Sequence, residues 1–589
     1  MKTRLDSLKV LVFDCQASHP DPQKGHLLEA AWGILDKYQE KDPFFSFSAA
    51  TLVKPKSDIE LPPQVSRVTG ISLEDLDSGQ SIEAVWEQLL ETSHQVSEPQ
   101  KLKSCPTIIH YSRYEAPYLN YLTEAFSPND SFHFDIICTH KIAQRLWPDL
   151  PRKGLRALAG FLGYSVEEFR RSTHHISATA WIWRKTVRIL LDEHGIETIE
   201  DLKSWLDKKK LTTKGQRIYP MGKEKRQDLP QKPGVYRMYR SNGDILYIGK
   251  ATSLRQRVNS YFQRKSAHAE HKLEMLSQAV DLSVTETPSA LEAAVLESDE
   301  IKKHSPPYNI ALKAGTRQMV YASPDLDSFS PKLSSEHIRG PYPSSNPLKS
   351  FSILVKLFSV KSSNKIDEIT RESLLNVPSD FLPELECLWG GIDCFKEKFQ
   401  GVLGKPVTIS GLLKLAHTLH QEKLDLLVEE DDSADGEELD DFEDDAAEQD
   451  EDIEFEWTPE TVCHHLEGVL RFGAHLIRRT KWFYELSESI LMWSHKKEKK
   501  AKYLRVIIIN GTLSDSSETS GYRTIPVPQN AHIPHHQRKQ YLDLLTYDRL
   551  RVLTTEIRRL VSENREVFLR LGENRLLGSE SLRRKLLWL

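Results

Sequence analysis

Tyr236 and Tyr247 stand on either side of an Asn242-Gly243 pair, and Lys250, Arg257 and Glu297 follow within the next fifty residues. A phenol has a free pKa near ~10, so it takes a proton at neutral pH only where neighbouring cations lower the cost of its ionisation. Lys250 and Arg257 are the candidates, and both would also stabilise negative charge developing in a transition state. Glu297 lies four residues from Ala293 and from Ile301 in SALEAAVLESDEIKKH, so on a helix its carboxylate rises from a face of small and apolar side chains. Held there it suits one hard cation such as Mg²⁺ or Mn²⁺, with water and substrate phosphate completing the shell. From Lys232 to Lys265 eight bases face Asp244 alone. With tyrosines interleaved, and with Lys232, Arg255 and Tyr261 on its flanks, this stripe suits a phosphodiester backbone. Each of these residue types in isolation is ordinarily core or surface; the set in order points to chemistry.

The elements that must position these groups are short. Asn242-Gly243 between alternating apolar runs predicts a hairpin with a two-residue type I′ turn, since both residues tolerate the positive φ it demands. In that register Tyr236 and Tyr247 share one face of the ribbon, one diagonal step apart. Gly249 is expected where the backbone turns closely, and Ser253 is expected to cap a helix that presents Arg257 and Tyr261.

The runs GVY, YIGK, LRQRV, SYF, VLE and IKKHSPPYN occur in that order between residues 229 and 315. They resemble the GIY-YIG endonuclease domain of the UvrC and Cho type of nucleotide excision repair protein. The resemblance implies a small α/β domain and one-metal hydrolysis of a DNA strand on the 3′ side of a lesion. It makes Tyr247 the general base for water and Tyr236 its support at the scissile phosphate. Arg257 and Lys250 would stabilise phosphorane-like charge, Glu297 would hold the metal, and Asn309 would order the site. Beyond Asn309 the run ALKAGTRQMVYAS departs from the family's usual sequence, which bears on substrate preference.

Residues 1 to 200 alternate strand patterns (LKVLVFD, AAWGIL, PTIIHYS) with helical ones (SIEAVWEQLLETS, ATAWIWRKTVRILLDEH), an α/β arrangement. Here VLVFD, IIHYSRYEAPYL and THHISATA resemble a DnaQ-like exonuclease of the DEDDh type, with an RNase H-like fold. Such enzymes use four carboxylates to hold two metal ions. Asp14 keeps the first position, Gln16 replaces the second, Glu115 stands for an aspartate, and Thr179 replaces the fourth, five residues after His174, which matches the general-base histidine. A neutral amide and a hydroxyl do not balance two divalent ions as carboxylates do. The expectation is a catalytically inactive domain kept as a DNA-binding or partner-docking platform. The alternatives are a bifunctional nuclease with a surviving exonuclease site, or a non-catalytic DNA-binding scaffold.

The chain of 589 residues is too long for one core. Its formal net charge is −6, yet residues 429–456 hold 18 acids and no base, so the remainder stands at +12. A basic body suggests a polyanionic partner, and the acidic run is read as a solvated, disordered linker. A basic linker is expected at 201–228, the GIY-YIG unit at 229–315, a UvrC/Cho-like post-nuclease region at 316–428, and a mainly helical region at 457–589. In the last, Leu550, Leu553, Ile557, Leu560, Asn564, Val567 and Leu571 predict one amphipathic helix with an a/d-like seam, and Arg549, Arg551, Arg558, Arg559, Arg565 and Arg570 lie off that seam. The whole is therefore a multi-domain α/β and α+β protein. Six scattered cysteines suggest reduced thiols. CLWGGIDCFKEKFQGVLGK looks like a reduced form of the cysteine-bearing segment of some UvrC relatives, and no iron–sulfur cluster is expected. No run approaches the ~18 apolar residues of a membrane helix, and Asp6 and Asp14 interrupt the N-terminus, so a cytoplasmic protein with no membrane partner is expected. No second nuclease domain or tandem helix-hairpin-helix is recognised, which suggests a single incision. The partner expected is DNA, as damaged duplex, together with damage-recognition proteins of excision repair.

Overall fold

The computed structural model describes the chain except residues 1–3, 37–44, 57–58, 60, 130, 166–168, 209–216, 264–269, 310–317, 360–366, 378–381, 400–406, 431–456, 495–502, 520–541, 564, 572–574 and 588–589. Most of the acidic run, residues 209–216 of the basic linker, the first part of the departure after Asn309, and Asn564 of the apolar seam thus lie outside the described residues.

At the N-terminus five strands, β1 (Val10–Ala17), β2 (Leu27–Leu35), β3 (Phe47–Leu52), β4 (Cys105–Ile109) and β5 (Phe134–Cys138), form one sheet in the order β3-β2-β1-β4-β5. β1 runs antiparallel to β2 and parallel to β4, so it is the central strand. β2 reads LLEAAWGIL and is buried along its whole length, which its near-continuous apolar sequence requires. The helix Ser172–His194 packs across β1 and β2 through Ile176, Ala180, Trp183 and Val187. This is the RNase H-like arrangement the sequence suggests.

The central unit is a three-stranded antiparallel sheet, β7-β6-β8, of β6 (Gly234–Tyr239), β7 (Ile245–Ala251) and β8 (Asp281–Glu286). The helix Ala290–His304 covers one face with Ala293 and Ile301 against Val235 and Ile248. The N-terminal domain meets this unit through polar contacts: the Arg152 N–H donates to Ser277 Oγ at 2.9 Å, and Ser165 Oγ donates to Asp244 Oδ2 at 2.8 Å.

Beyond it lie a small sheet of β9 (Val320–Ala322), β10 (Phe329–Ser330) and β11 (Arg339–Tyr342), and helices Leu385–Phe399 and Pro459–Leu486 that share one core. Cys387 donates to the Trp457 carbonyl at 3.3 Å, and Cys394 neighbours Cys463.

Among its described residues the C-terminal region is helical in its larger part, and it carries in addition a five-stranded antiparallel sheet. Its order is β14-β13-β12-β15-β16, with β12 (Glu488–Ser494), β13 (Tyr503–Ile509), β14 (Thr512–Thr519), β15 (Val567–Leu571) and β16 (Arg575–Gly578). The apolar seam divides accordingly: Leu550, Leu553, Ile557 and Leu560 lie on the helix Leu544–Ser562, whereas Val567 and Leu571 belong to β15, where alternate residues are buried. Asp543 caps that helix by accepting the Thr546 N–H at 2.7 Å. Among the described residues no helix is long and apolar enough to cross a membrane.

Candidate nuclease site

The β6–β7 hairpin builds the site, although its turn differs from the expected one. Gly243 alone takes a positive φ (91°), the loop closes with Gly243 N–H to the Arg240 carbonyl, and a bulge lies between Met238 and Tyr239. The bulge offsets the longer loop, so Tyr236 pairs with Gly249 and Met238 with Tyr247. The two tyrosines therefore occupy one face, one diagonal step apart, with ring centroids 6.1 Å from each other.

Gly249 sits within β7, not at a turn, and is required for a different reason. A Cβ there would lie 2.4 Å from Tyr236 Oη and 2.8 Å from Tyr247 Cε1. The missing side chain lets both phenols cross the strand. Tyr261 completes the cluster, its Oη 2.9 Å from that of Tyr236. Expected on a DNA-facing flank, Tyr261 is instead buried, because the chain at the end of the helix Leu254–Ser260 folds its ring back onto the hairpin. Arg255 likewise donates to the Leu229 carbonyl at 2.9 Å, while Lys232 stays exposed beside Glu286. Ser253 takes the N-cap position of that helix without a side-chain capping bond.

Arg257 reaches the tyrosines, its guanidinium carbon 5.4 Å from the Tyr261 ring centroid. Burial nevertheless pushes the Tyr247 phenol well upward, Tyr261 and Glu297 add to that push, and Arg257 opposes it only in part. The expectation that Lys250 and Arg257 ease ionisation is thus reversed in net effect. The Lys250 ammonium is turned to Glu556 Oε1, 2.7 Å away.

Glu297 Oε1 accepts the Lys250 backbone N–H at 2.8 Å, which fixes the carboxylate against β7. Its Oε2 has no hydrogen-bond partner among the described residues. Burial raises this carboxyl to about 7, against the pull of Lys250 and its N–H. A buried carboxylate with one oxygen committed and one open fits a single divalent cation. Among the described residues no three His, Cys, Asp or Glu side chains gather to hold a metal, so water and phosphate oxygens would fill the remaining positions. Asn309 clamps the strand between the tyrosine and the glycine: its Oδ1 accepts the Ile248 N–H at 3.0 Å and its Nδ2 donates to the Ile248 carbonyl at 2.8 Å.

Comparison with known proteins assigns the two regions. A family of UvrC-like GIY-YIG domains matches residues 232–310, and an exonuclease family matches residues 11–175. The chain joins an exonuclease-type domain to a UvrC-like GIY-YIG domain. A "UvrABC system protein C" from Psychrobacter sp. (strain PRwf-1) is 38% identical over 143 residues, covering 23% of this chain and 23% of that protein. The chain thus matches about a quarter of the length of such curated relatives. Among solved structures, the GIY-YIG N-terminal endonuclease domain of UvrC from Thermotoga maritima, bound to its catalytic divalent cation magnesium, is 33% identical, covering 15% of this chain and 93% of that one with a TM-score of 0.14. The nuclease domain of 3′hExo, a DEDDh family member bound to rAMP, is 16% identical, covering 31% of this chain and 92% of that one with a TM-score of 0.25.

In the exonuclease-type domain the acids meet a histidine. Asp14 Oδ2 lies 3.1 Å from His175 Nδ1, and His175 Nε2 lies 3.1 Å from the Phe169 carbonyl. Both ring nitrogens thus face acceptors, the pattern of an imidazolium. Burial works against that charge, yet the Asp14 carboxylate outweighs it and raises His175 to about 9. Glu115 is buried with Oε2 unpartnered, and burial followed by Asp14 pushes its carboxyl well above the usual range. Thr179 is buried with its hydroxyl unpartnered, and the Gln16 amide lies 3.4 Å from His175 Nδ1. His174, expected in the site, is exposed instead. On an α-helix positions 175 and 179 lie within about 40° of each other, whereas 174 and 179 are about 140° apart. Sequence reading also passed over Glu29, whose carboxylate takes Arg171 and the Ser172 N–H (2.8 Å) and so anchors the helix that carries His175. Its position within LLEAAWGIL, a lone acid in a fully apolar strand, was the available signal.

Proposed function

We propose that the protein is a DNA endonuclease of the UvrC and Cho type that makes one metal-dependent nick in damaged duplex, on the 3′ side of the lesion, in the cytoplasm. The observation that carries this reading is the convergence of Tyr236, Tyr247, Tyr261, Arg257, Lys250 and Glu297 around Gly249. In this reading the Tyr247 hydroxyl orients the attacking water, and Tyr236, bonded to Tyr261, keeps it in place. Lys250 and Arg257 stabilise negative charge that builds on the phosphate. A Mg²⁺ or Mn²⁺ ion held by Glu297 would add Lewis-acid stabilisation of the same charge. Burial keeps Tyr247 protonated at neutral pH, so a base role for it requires a rate that climbs through the alkaline range. The exonuclease-type domain serves as a non-catalytic platform for DNA, and damage-recognition proteins of excision repair are the protein partners this reading calls for.

The test is cleavage of a duplex with one defined lesion, mapped to the nucleotide, by wild type, Glu297→Ala and Asp14→Ala. Wild type and Asp14→Ala should each leave one nick on the 3′ side, and Glu297→Ala none. Digestion from a 3′ end that Asp14→Ala abolishes would instead favour a surviving exonuclease.

A further inference from the structure

The stretch YDRLRVLTTEIRRL has no part in the chemistry so far, yet it lies against the nuclease site. The helix Leu544–Ser562 packs along the helix Ala290–His304, and Leu291 and Val295 share a single core with Leu550, Leu553, Ile557 and Leu560. Arg549 forks onto Asp299 at 2.8 and 2.7 Å, and Lys302 meets Asp548 at 3.0 Å. An apolar seam with charged pairs beside it is a built interface, unlike a loose lid.

Only two acids occur on the helix Leu544–Ser562, Asp548 and Glu556, and both are buried against a lysine of the GIY-YIG domain. Glu556 Oε1 takes Lys250 Nζ at 2.7 Å, and its Oε2 accepts Arg559 Nε at 2.9 Å. The Glu556 side chain is 4% exposed and that of Lys250 37%. A carboxylate this deep is tolerated only while its partners stay in place. Lys250 in turn reaches two carboxylates, Glu297 through its backbone and Glu556 through its side chain. A free lysine side chain samples many rotamers, and an ammonium fixed beforehand spares the reaction that ordering.

We propose that Glu556 is a positioning residue of the nuclease site: from the C-terminal domain it fixes the side-chain ammonium of Lys250, the residue whose backbone N–H holds the Glu297 carboxylate, so that domain is a working part of the nuclease. This inference rests on the nuclease reading above. Glu556 touches no substrate and acts through Lys250.

The experiment uses the full chain on a labelled lesion-bearing duplex, with kcat, KM and thermal melting measured for wild type, E556Q, Lys250→Met and the double variant. E556Q should lower kcat about tenfold with KM for DNA unchanged, because it removes the negative charge that holds the ammonium without removing the ammonium. The double variant should cut no more slowly than Lys250→Met alone. Arg549→Met, which loosens the same interface at a different point, should keep kcat within about twofold. An equal fall caused by E556Q in the Lys250→Met background, or a tenfold loss in Arg549→Met, would overturn the proposal in favour of a merely structural contact. A faster E556Q would overturn it in favour of an autoinhibitory one. If E556Q melts far below wild type, Glu556→Asp carries the test: it keeps the buried charge, withdraws it from Lys250 by one methylene, and should still lose several-fold in kcat. Full rate in that variant overturns the proposal. A wild type that cuts while the Glu556 variants cut equally well leaves the nuclease reading standing; a wild type that does not cut overturns both.

Discussion

Each of the two nuclease-type regions centres on a buried carboxylate, and the two treat it differently. In the GIY-YIG domain Glu297 commits one oxygen to the Lys250 N–H and leaves the other open. In the exonuclease-type domain Asp14 is taken by His175, while Glu115 is driven toward its neutral form by burial and by Asp14. Burying a carboxylate is costly until a cation compensates it. The first region leaves room for that cation to come from solution. The second supplies it from its own chain, so an imidazolium stands where metal charge would be needed, and with Gln16 and Thr179 neutral there is little negative charge left to attract a divalent ion.

The contrast can be broken most sharply by removing one carboxylate at a time. Glu297→Ala should reduce nicking by about a thousandfold or more, the scale of losing charge stabilisation at the reacting phosphate, whereas Asp14→Ala should leave it within about twofold. Nicking that depends on Asp14 instead would invert the assignment. Next in size is Gly249→Ala. The added Cβ would lie 2.4 Å from Tyr236 Oη, and displacing that phenol should cost roughly a hundredfold in kcat and about 1–3 kcal/mol of stability. Wild-type kcat in this variant would show that the tyrosine cluster need not be rigid.

A pH series sharpens the same comparison. Glu297 is raised to about 7, so below that pH a metal ion must displace a proton. The Mg²⁺ concentration for half-maximal nicking should therefore rise up to about tenfold per unit as pH falls below 7. A flat Mg²⁺ requirement from pH 8 to 6 would exclude Glu297 as the ligand. The sign for stability is the opposite of the usual carboxylate case. A raised carboxyl contributes most below its ordinary range, and without metal the contribution fades as pH climbs through about 7.

The smallest expected effect lies in the exonuclease-type domain. His175 is raised to about 9, so its pairing with Asp14 contributes fully below the usual histidine pKa and is lost as pH rises through 9. That amounts to roughly 2–3 kcal/mol, read as a falling melting temperature of an isotope-labelled or proteolytically probed N-terminal domain between pH 6.5 and 9.5, in the full chain. His175→Gln should flatten that slope. A melting temperature indifferent to pH in the wild type would remove the imidazolium from the account.

Local sequence carried a good part of the site. The register that puts Tyr236 and Tyr247 on one face follows from strand alternation about Asn242-Gly243, and it survives an error in the turn because the bulge at Met238/Tyr239 restores the count. The loss of acids at Gln16 and Thr179 is likewise visible residue by residue. Tyr261 was harder, since an aromatic at a helix end can face DNA or fold inward, and only its contact with Tyr236 decides. His174 and His175 are adjacent in the chain and point about 100° apart on a helix, so choosing between them needs the helix rotation that Ile176, Ala180 and Trp183 set against β1 and β2.

The sequence by itself determined the chemistry on offer: a tyrosine pair, two cations and one acid in order, and an exonuclease pattern short of its acids. Tertiary structure alone decided which charges meet. Glu556 lies 306 residues from Lys250, and His175 lies 161 from Asp14. Both pairs form where packing buries the carboxylate and brings a cation from a distant part of the chain against it, a choice that no local pattern encodes.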